Sequence, residues 1–158
     1  MMNPMDAATV NMLVVLGPTA SGKTALGVRL AGAFGGEIIS ADSRQVYRGL
    51  DIGAGKDLGE YVPDGRAIPY HLIDVVDLSH EFSVFEYQQR CFDAFGEITS
   101  RGALPVMVGG TGLYIEAVLK GYRRVAAPEN SVLREALGRL SDAALAAFRQ
   151  ATGIQSVP

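Results

Sequence analysis

The segment Gly17-Pro18-Thr19-Ala20-Ser21-Gly22-Lys23-Thr24 separates two glycines by four residues and follows the second with Lys and Thr, the spacing of a phosphate-binding loop. Glycines allow the tight turn, and backbone N–H groups then converge on an anion at the start of a helix, where the helix dipole also favours negative charge. Lys23 supplies a point charge to phosphate oxygens. The Thr24 hydroxyl is an oxygen ligand suited to Mg²⁺, which prefers oxygen donors and substrate phosphates. The loop alone leaves open whether a triphosphate or a diphosphate is held.

Two further clusters sit where a parallel sheet would present ligands. Asp42-Ser43-Arg44-Gln45-Val46-Tyr47-Arg48 is either a solvated turn or a site: it offers a carboxylate to accept a proton and an amide, a guanidinium and a ring to orient a planar base. Gly109-Gly110-Thr111-Gly112-Leu113-Tyr114 is either a tight strand-to-helix turn or a place where backbone and hydroxyl approach the same crevice. Asp74, at the end of an apolar run, either binds Mg²⁺ through water or caps a turn. Cys91 has no activating neighbour and fits helix packing. His71 and His80 lack a partner at metal-ligand spacing, so both are expected to be structural or at the surface, and no zinc site is expected.

The elements that must hold these residues follow from patterning. Asn11 to Leu16 is a short β-branched run ending at Gly17 and suits a strand buried on both faces. A helix from Lys23 is expected to bury a stripe of Leu26, Leu30 and Phe34 and to stop at Gly35-Gly36. Glu37–Ser40, His71–Val76 and Ala103–Val108 are expected strands, with a surface loop over Asp51–Arg66. Ser83-Val84-Phe85-Glu86 has capping-box spacing and opens a helix with Phe85, Phe92, Phe95 and Ile98 on one face, ended by Arg101-Gly102. Another helix runs from the glycine-rich turn to Lys120 and Gly121. Pro128 fits the first turn of a helix carrying Leu133, Leu137 and Leu140, and Ser141-Asp142 caps a second with Leu145 and Phe148, an antiparallel pair. The class is α/β, a mostly parallel sheet flanked by helices over 1–121 with a short helical segment over 122–158.

Composition narrows the setting. Of 158 residues, 48% are hydrophobic and 20% charged, which suits one globular core and excludes a disordered chain. A single cysteine excludes an internal disulfide and points to a reducing compartment. Neither a membrane-spanning run nor a signal-like leader is expected, which places the chain in the cytoplasm. Residues 1–119 hold 8 basic and 14 acidic side chains, and 120–158 hold 6 basic and 3 acidic. The positive end is either a polyanion contact or a solvated helix face.

Taken together, GPTASGKT over Gly17–Thr24, ISADSRQVY over Ile39–Tyr47, RGLDIG over Arg48–Gly53, HLID over His71–Asp74 and VGGTGLY over Val108–Tyr114 resemble the tRNA dimethylallyltransferases. That resemblance covers roughly residues 12–140 and implies a P-loop NTPase-like fold. It also implies transfer of a dimethylallyl group from dimethylallyl diphosphate to N6 of an adenosine next to the tRNA anticodon. By resemblance Asp42 is the catalytic base, and Lys23, Thr24 and the Gly17–Thr24 backbone, with Mg²⁺ on Thr24, stabilise the leaving diphosphate. Asp42, Ser43, Arg44, Gln45, Thr111 and Arg134 contact the RNA, whose target base is flipped into the site. The implied partners are a tRNA anticodon arm and dimethylallyl diphosphate, no membrane is involved, and a monomer is expected. Residues 122–158 resemble the start of the family's helical RNA-binding insertion.

Relatives run close to double this length and commonly have Asp-Ile-Gly-Thr-Ala-Lys-Pro where this chain has Asp51-Ile52-Gly53-Ala54-Gly55-Lys56-Asp57. The short chain is therefore expected to keep diphosphate binding with weak or no transfer alone. Two other functions share the motif: a small-molecule kinase using ATP, with Arg123-Arg124 as a lid, and a non-catalytic remnant that binds RNA or a phosphate ligand.

Overall fold

The structure, a computed structural model, describes residues 11–56, 58–123 and 130–153. The chain divides into two compact units, 1–123 and 124–158. In the first, β1 (Leu13–Leu16) leads through the phosphate loop into α1 (Lys23–Phe34), followed by β2 (Gly36–Ala41) and the single-turn α2 (Asp51–Ala54). Two 3₁₀ turns, Leu58–Tyr61 and Pro63–Gly65, precede β3 (Tyr70–His71), α3 (Val84–Ser100), β4 (Leu104–Gly109) and α4 (Gly112–Lys120). The four strands are parallel in the order β1-β4-β2-β3, an α/β layer as expected.

Strand side chains alternate between two faces. Ile38, Val106 and Val108 pack with Val28, Ala31, Tyr61, Ile68 and Ile73 on the α1 side. Ile39, Ala41 and Met107 pack with Tyr87, Cys91, Ala94, Ile98, Tyr114, Ile115 and Val118 of α3 and α4 on the other. Tyr87 and Tyr114 stack with ring centroids 4.0 Å apart, and the Tyr87 hydroxyl donates to the Ser40 carbonyl. Burial pushes the Cys91 thiol up to about 12, which suits its packing role and disfavours a thiolate nucleophile.

Several expectations are corrected. The buried residues of α1 are Gly27, Val28 and Ala31, while Leu26 is exposed and Phe34 is 63% exposed. The helix lies so close to β4 that a Cβ on Gly27 would sit 2.4 Å from Val108 Cγ2, so Gly27, Val28 and Ala31 face the sheet while Leu26 and Phe34 point away. β1 is an edge strand, with Val14 and Leu16 exposed, and is not buried on both faces. The third strand is only Tyr70–His71. Beyond it Leu72 and Asp74 take positive φ of 64° and 56°, and the chain then pairs with 45–48: Asp74 N–H donates to Gln45 O and Val75 N–H to Val46 O. The expected 51–66 surface loop contains α2 and the two turns, with Ala54 and Tyr61 buried. On α3, Phe85 and Phe92 are exposed and Tyr87, Gln88 and Cys91 are buried in their place.

The capping box forms by half. Ser83 Oγ accepts from Glu86 N–H, but the Glu86 carboxylate turns to His80, at 2.7 Å, and Arg90. In the second unit α5 (Ser131–Gly138) and α6 (Asp142–Thr152) are capped by Asn130 and Ser141, with Leu133 and Leu140 exposed; Pro128 lies outside the described residues. No helix among the described residues is long and apolar enough to cross a membrane.

At the start of β2, buried Glu37 receives Arg101 Nε at 3.1 Å and Nη2 at 2.8 Å, with His71 Nε2 at 2.7 Å. The Arg101 guanidinium holds the Glu37 carboxyl below its ordinary value of 4.5. A depressed folded-state value means the stabilisation is complete above the unfolded value and is lost as pH falls through the folded one. Arg101→Leu is therefore expected to lower the melting temperature at pH 7, and the gap to the parent is expected to narrow below pH 4.5. A gap that stays constant between neutral and acid melts would refute this. Separately, a Cβ on Gly109 would lie 2.1 Å from the Ala41 carbonyl oxygen. Since backbone cannot swing aside, Gly109→Ala is expected to cost about 1–3 kcal/mol or more in urea unfolding.

Candidate functional site

The site is built on one row of the sheet. Leu16 pairs with Gly109, and Gly109 with Ala41, so the phosphate loop, the Asp42 segment and the Gly110-Thr111 turn all leave the sheet at the same level. A cleft of about 410 Å³ opens there, lined by Thr19–Thr24, Asp42, Arg44, Gln45, Ile52–Gly55, Glu60, Tyr61, Val108 and Gly109.

At one end is the loop. Gly22 takes φ 76° at the head of α1, no side chain caps that terminus, and no acidic residue lies in its first turn. The free N–H groups and positive dipole end are thus available to an anion. Ala20 also has positive φ, 60°, a conformation that costs an L-residue roughly 1–2 kcal/mol and is often held at functional sites. Lys23 Nζ donates to the Pro18 carbonyl at 2.9 Å. It lies close under the Gly110 turn, where a Cβ would stand 3.7 Å from Nζ. Thr24 lines the cleft with it.

Across the cleft, Asp42 Oδ1 accepts from the backbone N–H of Arg44 at 2.9 Å and of Gln45 at 3.4 Å. These bonds fix the carboxylate and leave its second oxygen without a partner among the described residues. Gln45 is fixed in turn, accepting from Ser40 Oγ at 2.8 Å and donating through Nε2 to the Ala54 carbonyl at 3.5 Å. Ser43 N–H donates to Thr111 Oγ1 at 2.9 Å, and Thr111 N–H donates to the Ala41 carbonyl at 3.0 Å, joining the two turns.

Of the residues anticipated from sequence, Thr19–Thr24, Asp42, Arg44 and Gln45 line one cleft. Gly17 and Pro18 shape the loop behind it, while Ser43 and Thr111 brace it from outside the lining. Arg134 lies on α5 in the other unit. Asp74 does not turn to the loop: its carboxylate receives the Lys56 ammonium. Sequence reasoning missed the wall of Ile52–Gly55, Glu60 and Tyr61. Ile52 is 99% exposed, and burial pushes the Tyr61 hydroxyl up to about 12. The departure from regular periodicity over 51–66 and the resemblance blocks over 48–57 marked that stretch without assigning it to the cleft.

Fold and site together define a P-loop-like α/β protein in which a glycine-rich strand-to-helix loop shares one cleft with a fixed carboxylate. The chain belongs to the IPP transferase family, whose model matches residues 45–153, and an isopentenyl transferase model matches residues 10–76. It is 64% identical over 135 residues to tRNA dimethylallyltransferase 1 of Geotalea daltonii, covering 85% of this chain and 43% of that protein. It is 65% identical over 137 residues to the protein of the same name from Geotalea uraniireducens, covering 86% and 44%. Among solved structures it resembles the full-length tRNA isopentenylpyrophosphate transferase of Bacillus halodurans, with TM-score 0.68, 40% identity, and 89% of this chain and 43% of that one covered. A eukaryotic dimethylallyltransferase acting on tRNA gives TM-score 0.72 at 29% identity, covering 84% and 33%. The chain thus spans less than half the length of these relatives.

If the loop is an anion cradle, calorimetry with inorganic diphosphate should show binding that weakens about tenfold to a hundredfold in Lys23→Ala, or roughly 1.4–2.8 kcal/mol. Equal affinity in the two proteins would remove Lys23 from the site.

Proposed function

We propose that this chain binds dimethylallyl diphosphate in the phosphate loop and a tRNA adenosine against Asp42, and transfers the dimethylallyl group to N6. The observation that carries this is the placement of Asp42, fixed by two backbone N–H groups, across one cleft from Lys23 and Thr24.

The chemistry requires both ends. Adenine N6 is a weak nucleophile because its lone pair is delocalised into the ring, so the leaving group must be stabilised and the departing proton accepted. The N6–carbon bond forms as the allylic C–O bond breaks, diphosphate carries away the bonding pair, and the N6 proton passes to Asp42. Loop N–H groups and Lys23 face the charge that gathers on diphosphate, and interactions of that kind act most strongly in the transition state. A base stacked in an anticodon loop cannot reach this cleft, so the nucleotide must be flipped out. Arg44 and Gln45 stand beside Asp42 to receive it.

The donor set suits Mg²⁺ held by Thr24 and the substrate itself. Among the described residues no group of three or more His, Cys, Asp or Glu side chains forms a metal site, and Mg²⁺ is content with one protein oxygen plus phosphates and water. When bound, it supplies charge neutralisation on the diphosphate oxygens.

Mass analysis of nucleosides from tRNA incubated with the chain, Mg²⁺ and dimethylallyl diphosphate tests the proposal. The expected product is N6-dimethylallyl adenosine, formed slowly because the chain spans less than half the length of its relatives. Asp42→Asn is expected to slow its formation about 10²–10⁴-fold with diphosphate affinity retained. Donor binding with tRNA left unmodified would support a non-catalytic protein, and ATP consumption with isoprenoid diphosphates ignored would support a kinase.

A further inference from the structure

Lys56 lies just beyond α2, and its side chain is only 1% exposed, although lysine is almost never buried unless paired. Its three ammonium protons meet three acceptors: the Tyr47 carbonyl at 2.5 Å, Asp51 Oδ1 at 3.3 Å and Asp74 Oδ1. These acceptors come from three stretches of chain: the end of the Asp42 segment, the start of α2 and the turn after β3. Lys56 itself does not line the cleft.

A helix of one turn cannot sustain itself, because the fixed dihedrals outweigh so few hydrogen bonds. Yet the Ile52–Gly55 end of this one forms a cleft wall beside Arg44 and Gln45. Two side chains tie it down. Gln45 reaches the Ala54 carbonyl at 3.5 Å, a long contact, whereas Lys56 makes a charged, desolvated link. Charge-assisted bonds are the stronger kind, and removing one partner of a buried pair is costly because the other charges lose their counterion.

We infer that Lys56 is a positioning residue: its ammonium locks α2 and the Asp42–Arg48 segment into one arrangement and so preforms the half of the cleft that receives the nucleobase. This rests on the proposed transfer for what the wall receives, but not for the locking itself. Lys56 acts through Tyr47, Asp51 and Asp74, and touches no substrate.

Hydrogen exchange and binding, measured on the whole chain, separate the possibilities. In Lys56→Met, amides of 44–48 and 51–56 are expected to exchange at least about tenfold faster while those of α1 and β4 keep their rates. An anticodon stem-loop RNA is expected to bind about tenfold more weakly, with inorganic diphosphate within about twofold of the parent. Lys56→Arg, which keeps the charge, is expected to recover much of both. Unchanged exchange over 51–56, or RNA and diphosphate affinity falling together with faster exchange throughout the sheet, would overturn the inference. Should Lys56→Met fail to fold, Asp74→Asn decides it: smaller changes confined to the same amides support the lock, and none overturns it. A parent chain that ignores the stem-loop would sink the proposed transfer, while the exchange result would still judge the lock.

Discussion

The arrangement depends on how closely β4 runs beside β2. With no Cβ at Gly109, the backbone can approach the Ala41 carbonyl, and the same residue is in register with Leu16 on the other side. Three strand ends are thereby brought level, and each is followed at once by a chemical segment: the phosphate loop after Leu16, Asp42 after Ala41, the Gly110-Thr111 turn after Gly109. A slip of one residue would turn the alternating side chains to the wrong face and carry the segments out of line. Since β4 lies between β1 and β2 but follows both in the chain, the cleft is complete only after a long-range pairing forms, the kind of contact that slows folding.

Charges divide by whether they have partners. Glu37 is held by Arg101 and His71 at the start of β2, the opposite end from the cleft, and Lys56 is held by Asp51 and Asp74 behind the cleft wall. Burying an ion is costly unless it is paired, so these sets act as fixed links. Lys23 and Arg44, in the cleft itself, form no ion pair among the described residues. A polyanion entering there gains their charge without first breaking a salt bridge.

The phosphate loop, the strands around it and the Asp42 segment were legible in sequence because each is local: a short run whose residue types carry their own geometry. What was not legible depended on close approach. Leu26, Leu30 and Phe34 recur at helical spacing, yet Gly27, Val28 and Ala31 face the sheet, because the helix is pressed so closely against β4 at Gly27 that no side chain fits there. The third strand was misjudged because positive φ at Leu72 and Asp74 ends the ladder in a stretch that is mostly apolar. Lys56 was invisible as a structural residue, for nothing near it in sequence announces that Asp74 will arrive beside it. Glu86 had the right spacing for a reciprocal cap, but the His80 ring and the Arg90 guanidinium offered its carboxylate side-chain partners instead.

These two kinds of information divide the labour of the cleft. The loop end is contiguous, Thr19–Thr24, and its free donors are mostly backbone groups set by one turn and one helix start, so it depends little on the rest of the chain. The opposite wall is assembled from Asp42, Arg44, Gln45, Ile52–Gly55 and Tyr61, held by Ser40, Thr111 and Lys56 from separate strands and turns. An anion needs only charge and N–H groups at the right radius, and a local loop provides them. A flat, uncharged base must be met by an acceptor and an amide fixed in one plane, which requires side chains whose rotamers are locked by neighbours distant in sequence. The loop end of the cleft is thus the part that local sequence secures, and the opposite wall the part that depends on tertiary structure.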